Sequence, residues 1–354
     1  MEQIYIPKQN YKVLVRTITY NQAKYITDTL DGVAMQQTNF PFVHYVIDDC
    51  STDGEQEVIK SWLNGHCDMT KAEYIDLELA NVILVPHKTN TNLTFAIYLL
   101  KRNLWKEPEL KGTLVRPWRD HCEYEAICEG DDYWTHSGKL QKQVDILEKD
   151  PSLMLCCTNC REVDSSGHVT KEKREFIVPE NKEGKYNLRQ YFEQKHSYPT
   201  LSVVYRGTHA KEVREKFQTI QSPYLGDWNL FIALMCFGDA YYLDVVTCSY
   251  HVDPNSLTHN PNNMWNWIIG RAKDEFRLQP LIATILPDDL AEIKYEKTHN
   301  KYILWYDLAM SYRYLHAYRG MMYAFLRCML SNPIFMVSKL LEALIRRMRF
   351  FFHQ

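Results

Sequence analysis

Residues Phe42–Gly54 read FVHYVIDDCSTDG. The first part, Phe42–Ile47, is an apolar run typical of a buried strand, and it ends abruptly in an acidic turn that starts with Asp48 and Asp49. Apolar residues at helical spacing resume at Val58–Leu63. A buried strand, an acidic turn and a helix in this order predict one unit of an α/β sheet.

The same alternation continues on both sides of this stretch. Tyr11–Thr19 is rich in β-branched and aromatic residues, and Tyr25–Gln37 follows with apolar residues at helical spacing. Further strands are predicted at Asn81–Pro86 and Glu125–Cys128, and the latter runs directly into Glu129–Asp132. Strands alternating with helices predict an α/β, doubly wound and mostly parallel sheet, in which ligands gather beyond the carboxyl ends of the strands.

Downstream the pattern predicts more elements of the same kind. The polar stretch Arg161–Pro199 is interpreted as an exposed hairpin or excursion. From about Asn262 the chain is predicted to be mainly helical, which gives domain 1–260 and a helical extension 261–354. The remaining predicted elements are helices at Lys139–Leu147 and Leu230–Cys236 and strands at Leu153–Cys157, Leu201–Tyr205 and Ala240–Tyr250.

Composition narrows the class of function. The 354 residues carry a net charge of -3, so no nucleic-acid partner held by phosphate neutralisation is expected. Ten scattered cysteines and a polar N-terminus without an apolar signal segment indicate reduced thiols in a cytoplasmic protein. No apolar run of roughly 18 residues occurs, so any membrane contact is expected to be peripheral.

Two acidic turns are the main chemical signal. Since parallel strands end at one edge of a sheet, Asp48–Asp49 and Asp131–Asp132 are expected to lie in one cleft. Like charges held together repel unless a cation neutralises them, and Mg²⁺ or Mn²⁺ prefers carboxylate and phosphate oxygens. The alternative is structural, because Ser, Thr and Asp also cap helices and form turns.

Four motifs together resemble the inverting family 2 glycosyltransferases of the GT-A fold, of the type that builds bacterial surface polysaccharides. They are ITYN at 18–21, VIDDCSTDG at 46–54, ICEGDDYW at 127–134 and YLGDWNLF at 224–231. The resemblance covers roughly residues 11–259. It implies that Tyr20 lies near the nucleotide base, that Asp49 contacts the base, and that Asp48 shapes the same pocket.

The resemblance also implies roles for the later motifs. Glu129 and Asp131 match the two acids of the family's D-x-D motif, which contact the ribose and the metal, although Glu replaces the first Asp. Asp132 is the leading metal ligand, with Asp131 beside it. Asp227 matches the general base. His251 departs from the family pattern, since the chain reads YHVD at 250–253 instead of a YRxH-like sequence, and its contact with metal or diphosphate stays open.

The implied reaction moves a sugar from a nucleotide diphosphate donor to a hydroxyl of a glycan or lipid-linked glycan acceptor, with inversion and with Mn²⁺ or Mg²⁺. The alternative is a catalytically inactive sugar-nucleotide-binding or scaffold protein of the same assembly machinery. A nucleotidyltransferase is disfavoured because Tyr20–Ala23 is not the glycine-rich phosphate loop that such an enzyme would carry near its first strand.

The C-terminal stretch Pro333–Gln354 combines apolar residues at helical spacing with a basic cluster. Such a helix either packs on the protein or lies on the inner face of the cell membrane, which makes a membrane surface a candidate partner.

Overall fold

The computed structural model describes residues 4–175, 177–193, 198–253, 256, 261–294, 302–339 and 341. Its strands are β1 Tyr11–Thr19, β2 Phe42–Asp48, β3 Glu73–Asp76, β4 Ala80–Pro86, β5 Leu93–Leu100, β6 Cys122–Ile127, β7 Tyr133–Trp134, β8 Leu153–Asp164, β9 Val169–Lys171, β10 Gly184–Tyr186, β11 Val204–Arg206 and β12 Asp239–Val252.

The α-helices are α1 Ile26–Ala34, α2 Glu55–His66, α3 Pro108–Asp120, α4 Lys139–Lys149, α5 Leu188–Glu193, α6 Ala210–Thr219, α7 Gly226–Met235, α8 Pro261–Ile285, α9 Tyr302–Tyr314 and α10 Tyr318–Ser331. Residues 333–339 are helical as well. Short 3₁₀ turns occur at Met69–Lys71, Pro179–Asn181, Thr200–Ser202 and Asp288–Leu290.

The strands form one mixed sheet in the spatial order β10-β12-β8-β11-β6-β1-β2-β5-β4-β3, with β7 paired to β12 and β9 to β8. Strand β1 is central and runs parallel to both β2 and β6. Parallel ladders also join β2 to β5 and β8 to β12, whereas the other pairs are antiparallel. The α/β class is therefore confirmed, and the antiparallel pairs lie on both sides of the parallel centre.

Helices cover both faces of this sheet. Apolar side chains of α1, α2 and α4 pack on one face, including Leu30, Leu63 and Val144. On the opposite face α3 contributes Leu114 and Trp118 to a second apolar cluster. Burial of these apolar side chains on both faces is the main stabilising contribution to such a layered fold.

Three parts of the sheet differ from the sequence-based expectation. Strand β5, which is apolar except for Thr94, was not predicted, and it inserts between β2 and β4. Strand β4 consequently runs antiparallel to its neighbour instead of extending the parallel series. The predicted strand Leu201–Tyr205 begins as a 3₁₀ turn, and only Val204–Arg206 pairs in the sheet. The predicted hairpin after residue 161 is present where β9 pairs antiparallel with β8.

The chain groups into two compact units. One contains residues up to Lys211 together with Phe237–Val252, and so holds the whole sheet. The other contains Glu212–Cys236 and the residues from Asp253 onward. In this second unit α8, α9 and α10 share an apolar cluster that includes Ile269, Leu308 and Ala324. The division at residue 260 into two domains stays a prediction.

Candidate active site

Strand β1 ends between the two acidic turns. In the register of the sheet Thr19 of β1 lies opposite Asp48 of β2, and Asp49 N donates to Thr19 O at 3.0 Å. On the other side Gly130 N donates to Ile18 O at 3.3 Å. The tertiary structure thus brings both acidic turns to one edge of the sheet, on either side of the same strand.

The turn after β6 requires glycine at its centre. A Cβ atom on Gly130 would lie 2.5 Å from Thr19 Cβ, closer than any real contact allows. Thr29 of α1 holds the same turn from behind, because its hydroxyl donates to the carbonyl oxygens of Gly130 and Asp132 at 3.1 and 2.7 Å. These contacts fix the backbone that carries Glu129, which is half-buried like Asp131.

Asp132 is the buried acid of this turn, with 4% of its surface exposed. Its Oδ1 accepts a hydrogen bond of 3.0 Å from the backbone N–H of His251. Burial raises the pKa of Asp132 well above its usual value, and the neighbouring charge of Asp131 raises it further. A cation at this position would offset both effects and favour the ionised carboxylate.

His251 lies at the end of β12 and is nearly buried. Its ring packs beside Tyr25 and Tyr133, with centroid separations of 4.7 and 5.4 Å. The ring Nδ1 forms a hydrogen bond to the carbonyl oxygen of Asp131. A carbonyl only accepts, so Nδ1 carries the proton, and in the neutral ring Nε2 is left as the acceptor.

Asp48 and Asp49 have different surroundings. Asp48 is fully buried, and its Oδ1 accepts from Ser51 N at 3.1 Å and Gln56 Nε2 at 2.5 Å. Its Oδ2 is buried and has no hydrogen-bond partner among the described residues. Asp49 accepts from Leu104 N and from Lys111 Nζ, each at 2.6 Å. Asp49 therefore anchors the segment after β5. It is also the residue predicted to contact the nucleotide base.

Tyr20 follows β1 and leaves 46% of its surface exposed, so its ring is accessible to a ligand. Its loop is tied to the loop after β2. Asn21 lies in the left-handed region with φ 55°. Its Oδ1 accepts from Thr52 N at 2.7 Å, and its own backbone N–H donates to Ser51 Oγ at 2.9 Å. These hydrogen bonds hold the loop that carries Tyr20 against the acidic turn after β2.

Glu55 is a site residue that the sequence did not reveal. Its buried carboxylate accepts from Gln22 N and Ser51 Oγ, both at 2.8 Å, and from the Thr19 hydroxyl. Burial raises its pKa, while these donors lower it in part. In the sequence Glu55 is an ordinary acid in the first turn of a helix, and only the approach of the β1 loop shows that it joins the two loops.

A second group that the sequence did not predict lies two residues before the end of β6. Glu125 of β6 is bonded to Arg16 of β1 at 2.7 Å and to Arg119 of α3 at 2.7 and 2.9 Å. Burial by itself would raise the pKa of Glu125, but the two arginines lower it to about 2. This ion cluster joins the central strand β1 and strand β6, which carries the second acidic turn, to helix α3 on the second face.

Asp227 belongs to the other compact unit. It is exposed in the first turn of α7, which starts at Gly226, four residues before the predicted start at Leu230. The N-cap is Leu225, so Asp227 lies within the helix and does not cap it. A carboxylate in the first turn is favoured by the helix dipole. Its role as the base stays a prediction.

The described side chains do not by themselves form a complete metal-binding site. Within the described ranges no three His, Cys, Asp or Glu side chains are placed to hold an ion together. Mg²⁺ and Mn²⁺ sites commonly use one or two carboxylates and complete the shell with substrate phosphates and water. The buried, crowded carboxylates of the β6 turn fit that kind of site. All ten cysteines, each in the described chain, are free thiols.

One segment of the chain matches a known sequence family. Residues 15–81 match the model of the family described as Glycosyl transferase family 2. This chain carries a glycosyltransferase family 2 segment. The resemblance inferred from the motifs is therefore confirmed. The segment includes Tyr20, Asp48 and Asp49, whereas the β6 turn and Asp227 lie beyond the matched residues.

The sequence relatives of this chain share part of its length. An uncharacterized protein of Mycobacterium tuberculosis and one of Mycobacterium bovis are each 32% identical over 156 residues, which cover 44% of this chain and 37% of theirs. The match thus spans little more than a third of the length of these curated relatives.

Solved structures establish the fold. S. aureus TarS 1-349 in complex with UDP-GlcNAc has a TM-score of 0.51 at 14% identity, over 88% of this chain and 90% of that one. The mannosyltransferase PcManGT from Pyrobaculum calidifontis, in complex with GDP-Man and Mn²⁺, has a TM-score of 0.51 at 16% identity, over 97% and 82%. The GT-A-like fold is confirmed by these similarities.

Proposed function

We propose that this chain transfers a sugar from a nucleotide diphosphate donor to an acceptor hydroxyl, with inversion of the anomeric centre, in the assembly of a surface polysaccharide or glycolipid. The observation that supports this most is the meeting of two acidic turns on either side of the β1 end, in a chain that carries a family 2 segment. Such an edge is where a doubly wound sheet binds nucleotides.

The nucleoside is proposed to bind between Tyr20 and the β2 turn. The exposed ring of Tyr20 offers a stacking surface to the base. Asp49 would accept from a base N–H with the lone pairs that Leu104 and Lys111 leave unused. The unpartnered Oδ2 of Asp48 is a buried acceptor that a polar group of the ligand would satisfy.

The diphosphate is proposed to lie at the β6 turn. Asp132 and Asp131 would hold Mn²⁺ or Mg²⁺, and Glu129 would reach the ribose or the sugar. When bound, such an ion neutralises the charge that develops on a departing diphosphate. His251 presents Nε2 beside the same turn, on a ring held by the Asp131 carbonyl, and is proposed as an additional contact to the metal or the diphosphate.

Asp227 is proposed as the general base. As the acceptor oxygen bonds to the anomeric carbon, the bond from that carbon to the diphosphate oxygen breaks, and the hydroxyl proton passes to the Asp227 carboxylate. A single displacement from the opposite face inverts the centre, with an oxocarbenium-like transition state. The acceptor is proposed to be a glycan or a lipid-linked glycan.

A donor panel tests the proposal. Release of UDP, GDP and dTDP from nucleotide sugars is measured with and without Mn²⁺, in the presence of candidate glycan acceptors. Metal-dependent release of one nucleotide supports the transferase. Tight nucleotide binding without any turnover would instead support the inactive sugar-nucleotide-binding or scaffold alternative.

Replacement of Asp132 tests the metal assignment. Asp132→Asn keeps the shape of the side chain but removes its charge, so turnover and metal-dependent nucleotide binding should nearly vanish. The control is Asp120→Asn, since Asp120 ends α3 away from the β6 turn. Full activity of Asp132→Asn at saturating Mn²⁺ would show that the ion is held elsewhere.

The location is proposed to be cytoplasmic, peripheral on the inner face of the cell membrane. No helix of the described chain has the length and apolarity needed to cross a bilayer. Most of the predicted amphipathic helix Pro333–Gln354 lies outside the described residues, which end with 333–339 and 341 in this stretch. Its membrane role accordingly stays a proposal.

A further inference from the structure

Helix α10 has one buried and one uncovered apolar face. Ala324 and Cys328 point inward and are fully buried. On the outward side Met322, Leu326 and Leu330, spaced four residues apart, leave 64%, 54% and 72% of their surfaces exposed. Large apolar side chains in a contiguous exposed row are typical of interaction sites rather than of ordinary surface.

The uncovered row continues after α10. In the helical residues 333–339 Met336 is buried and Phe335 packs against Tyr302 and Tyr306. On the outward side Ile334 and Val337 are 83% and 55% exposed, and Leu341 is 54% exposed. We define these three residues, with Met322, Leu326 and Leu330, as the apolar row.

Cations outnumber acids around the apolar row, although the whole chain is slightly acidic. Residues 307–342 contain Arg313, Arg319, Arg327 and Lys339 against Asp307 and Glu342. The cations of this stretch include Arg319 and Arg327, both exposed. At 100° per residue Arg319 lies on the same outward side as Leu326, and Arg327 lies at its flank. Arg327 also stacks on Trp305 at 5.1 Å, which fixes its position.

We propose that the apolar row docks in the headgroup region of an anionic lipid bilayer. Apolar side chains flanked by arginine, in a stretch where cations exceed acids, match a bilayer with an apolar interior and anionic headgroups. A second copy of this chain fits less well, because a two-fold interface would place the arginines of both copies against one another. This inference does not depend on glycosyl transfer.

Vesicle binding by the full chain tests the proposal. Co-sedimentation is measured with vesicles of phosphatidylcholine alone and with added phosphatidylglycerol, at low and high salt. The chain should bind the anionic vesicles, and the triple variant Met322→Gln, Leu326→Gln, Leu330→Gln should bind at least about tenfold more weakly, because glutamine removes apolar surface but keeps helix propensity. The matched control is Tyr74→Gln, an exposed aromatic on edge strand β3, which should bind unchanged.

Arginine variants separate charge from apolar burial. Arg319→Gln and Arg327→Gln should each weaken binding about fivefold at low salt, the equivalent of about 1 kcal/mol for a basic residue near an anionic surface, and much less at high salt. Unchanged circular dichroism and unchanged melting of each variant show that the fold is intact.

Three results would overturn the proposal. One is that the full chain ignores anionic vesicles at low salt. Another is that the triple variant binds as well as the parent, which would assign any binding to a different surface. The third is that the parent self-associates in a concentration-dependent way, binds no vesicles, and becomes monomeric in the triple variant, since the apolar row would then be a protein interface.

Discussion

Replacement of Glu125 is the perturbation whose size the structure predicts best. The carboxylate is 4% exposed and is shared by the guanidinium groups of Arg16 and Arg119. In Glu125→Gln the shape is kept and the negative charge is lost, so that the partly buried Arg16 and Arg119, with 12% and 35% of their side chains exposed, face one another without it. Removal of one partner from a buried ion group typically costs about 3–5 kcal/mol.

The pKa of Glu125 gives a second estimate of the same quantity. It falls from the usual 4.5 to about 2 in the folded chain. Each tenfold change in proton affinity corresponds to about 1.4 kcal/mol, so the ionised carboxylate contributes about 3 kcal/mol to the free energy of unfolding at neutral pH. The loss of the ion pairs and the lowered pKa thus both correspond to about 3 kcal/mol for Glu125→Gln.

The pH dependence follows from the direction of the pKa change. Because the folded pKa is the lower one, the stabilisation is complete above pH 4.5, where both states are ionised, and it is lost as the pH falls toward about 2. The difference in unfolding free energy between the parent and Glu125→Gln should therefore be about 3 kcal/mol at neutral pH, and less than half of that at about pH 3.

Urea denaturation at the two pH values measures this difference. Hydrogen exchange of the peptides that contain β1 and β6 checks that the loss occurs in the unit that holds the sheet. Glu123→Gln is the matched control, since Glu123 lies on the same strand with its side chain 65% exposed and paired to Lys12. That variant should change stability by less than about 0.5 kcal/mol. An equal loss at both pH values would refute the electrostatic explanation.

Three further variants test the site. Asp227→Asn should keep donor binding but lower transfer by about 100-fold to 10000-fold, as general-base removal does, and a parallel loss of nucleotide affinity in a calorimetric titration would place Asp227 at the donor instead. Asp49→Ala should weaken UDP or GDP binding even without metal, whereas Lys111→Met, which breaks only the ion pair, should weaken it less; equal losses would show that Asp49 merely anchors α3. Gly130→Ala should displace the β6 turn and abolish metal-dependent nucleotide binding, because its Cβ would press on Thr19, while Gly112→Ala has free space and should bind normally.

The sequence by itself determined the local features of this protein. Strand β1 was predicted with its observed limits, and the acidic turns after β2 and β6 were recognised because an apolar run and the acids that end it are neighbours in the chain. The order of the four motifs together indicated the family resemblance, which the match of residues 15–81 confirms for the segment with Tyr20 and Asp48.

The tertiary structure decided which individual side chains and strands pair across long stretches of the chain. Glu55 meets Thr19 across 36 residues and Glu125 meets Arg16 across 109, so neither burial nor pKa of these acids is encoded in any local pattern. The position of β5 between β2 and β4 likewise follows from which apolar runs pair, since hydrophobicity drives burial without specifying the neighbour. Partner choice is a property of the whole packed sheet, and only the folded chain reveals it.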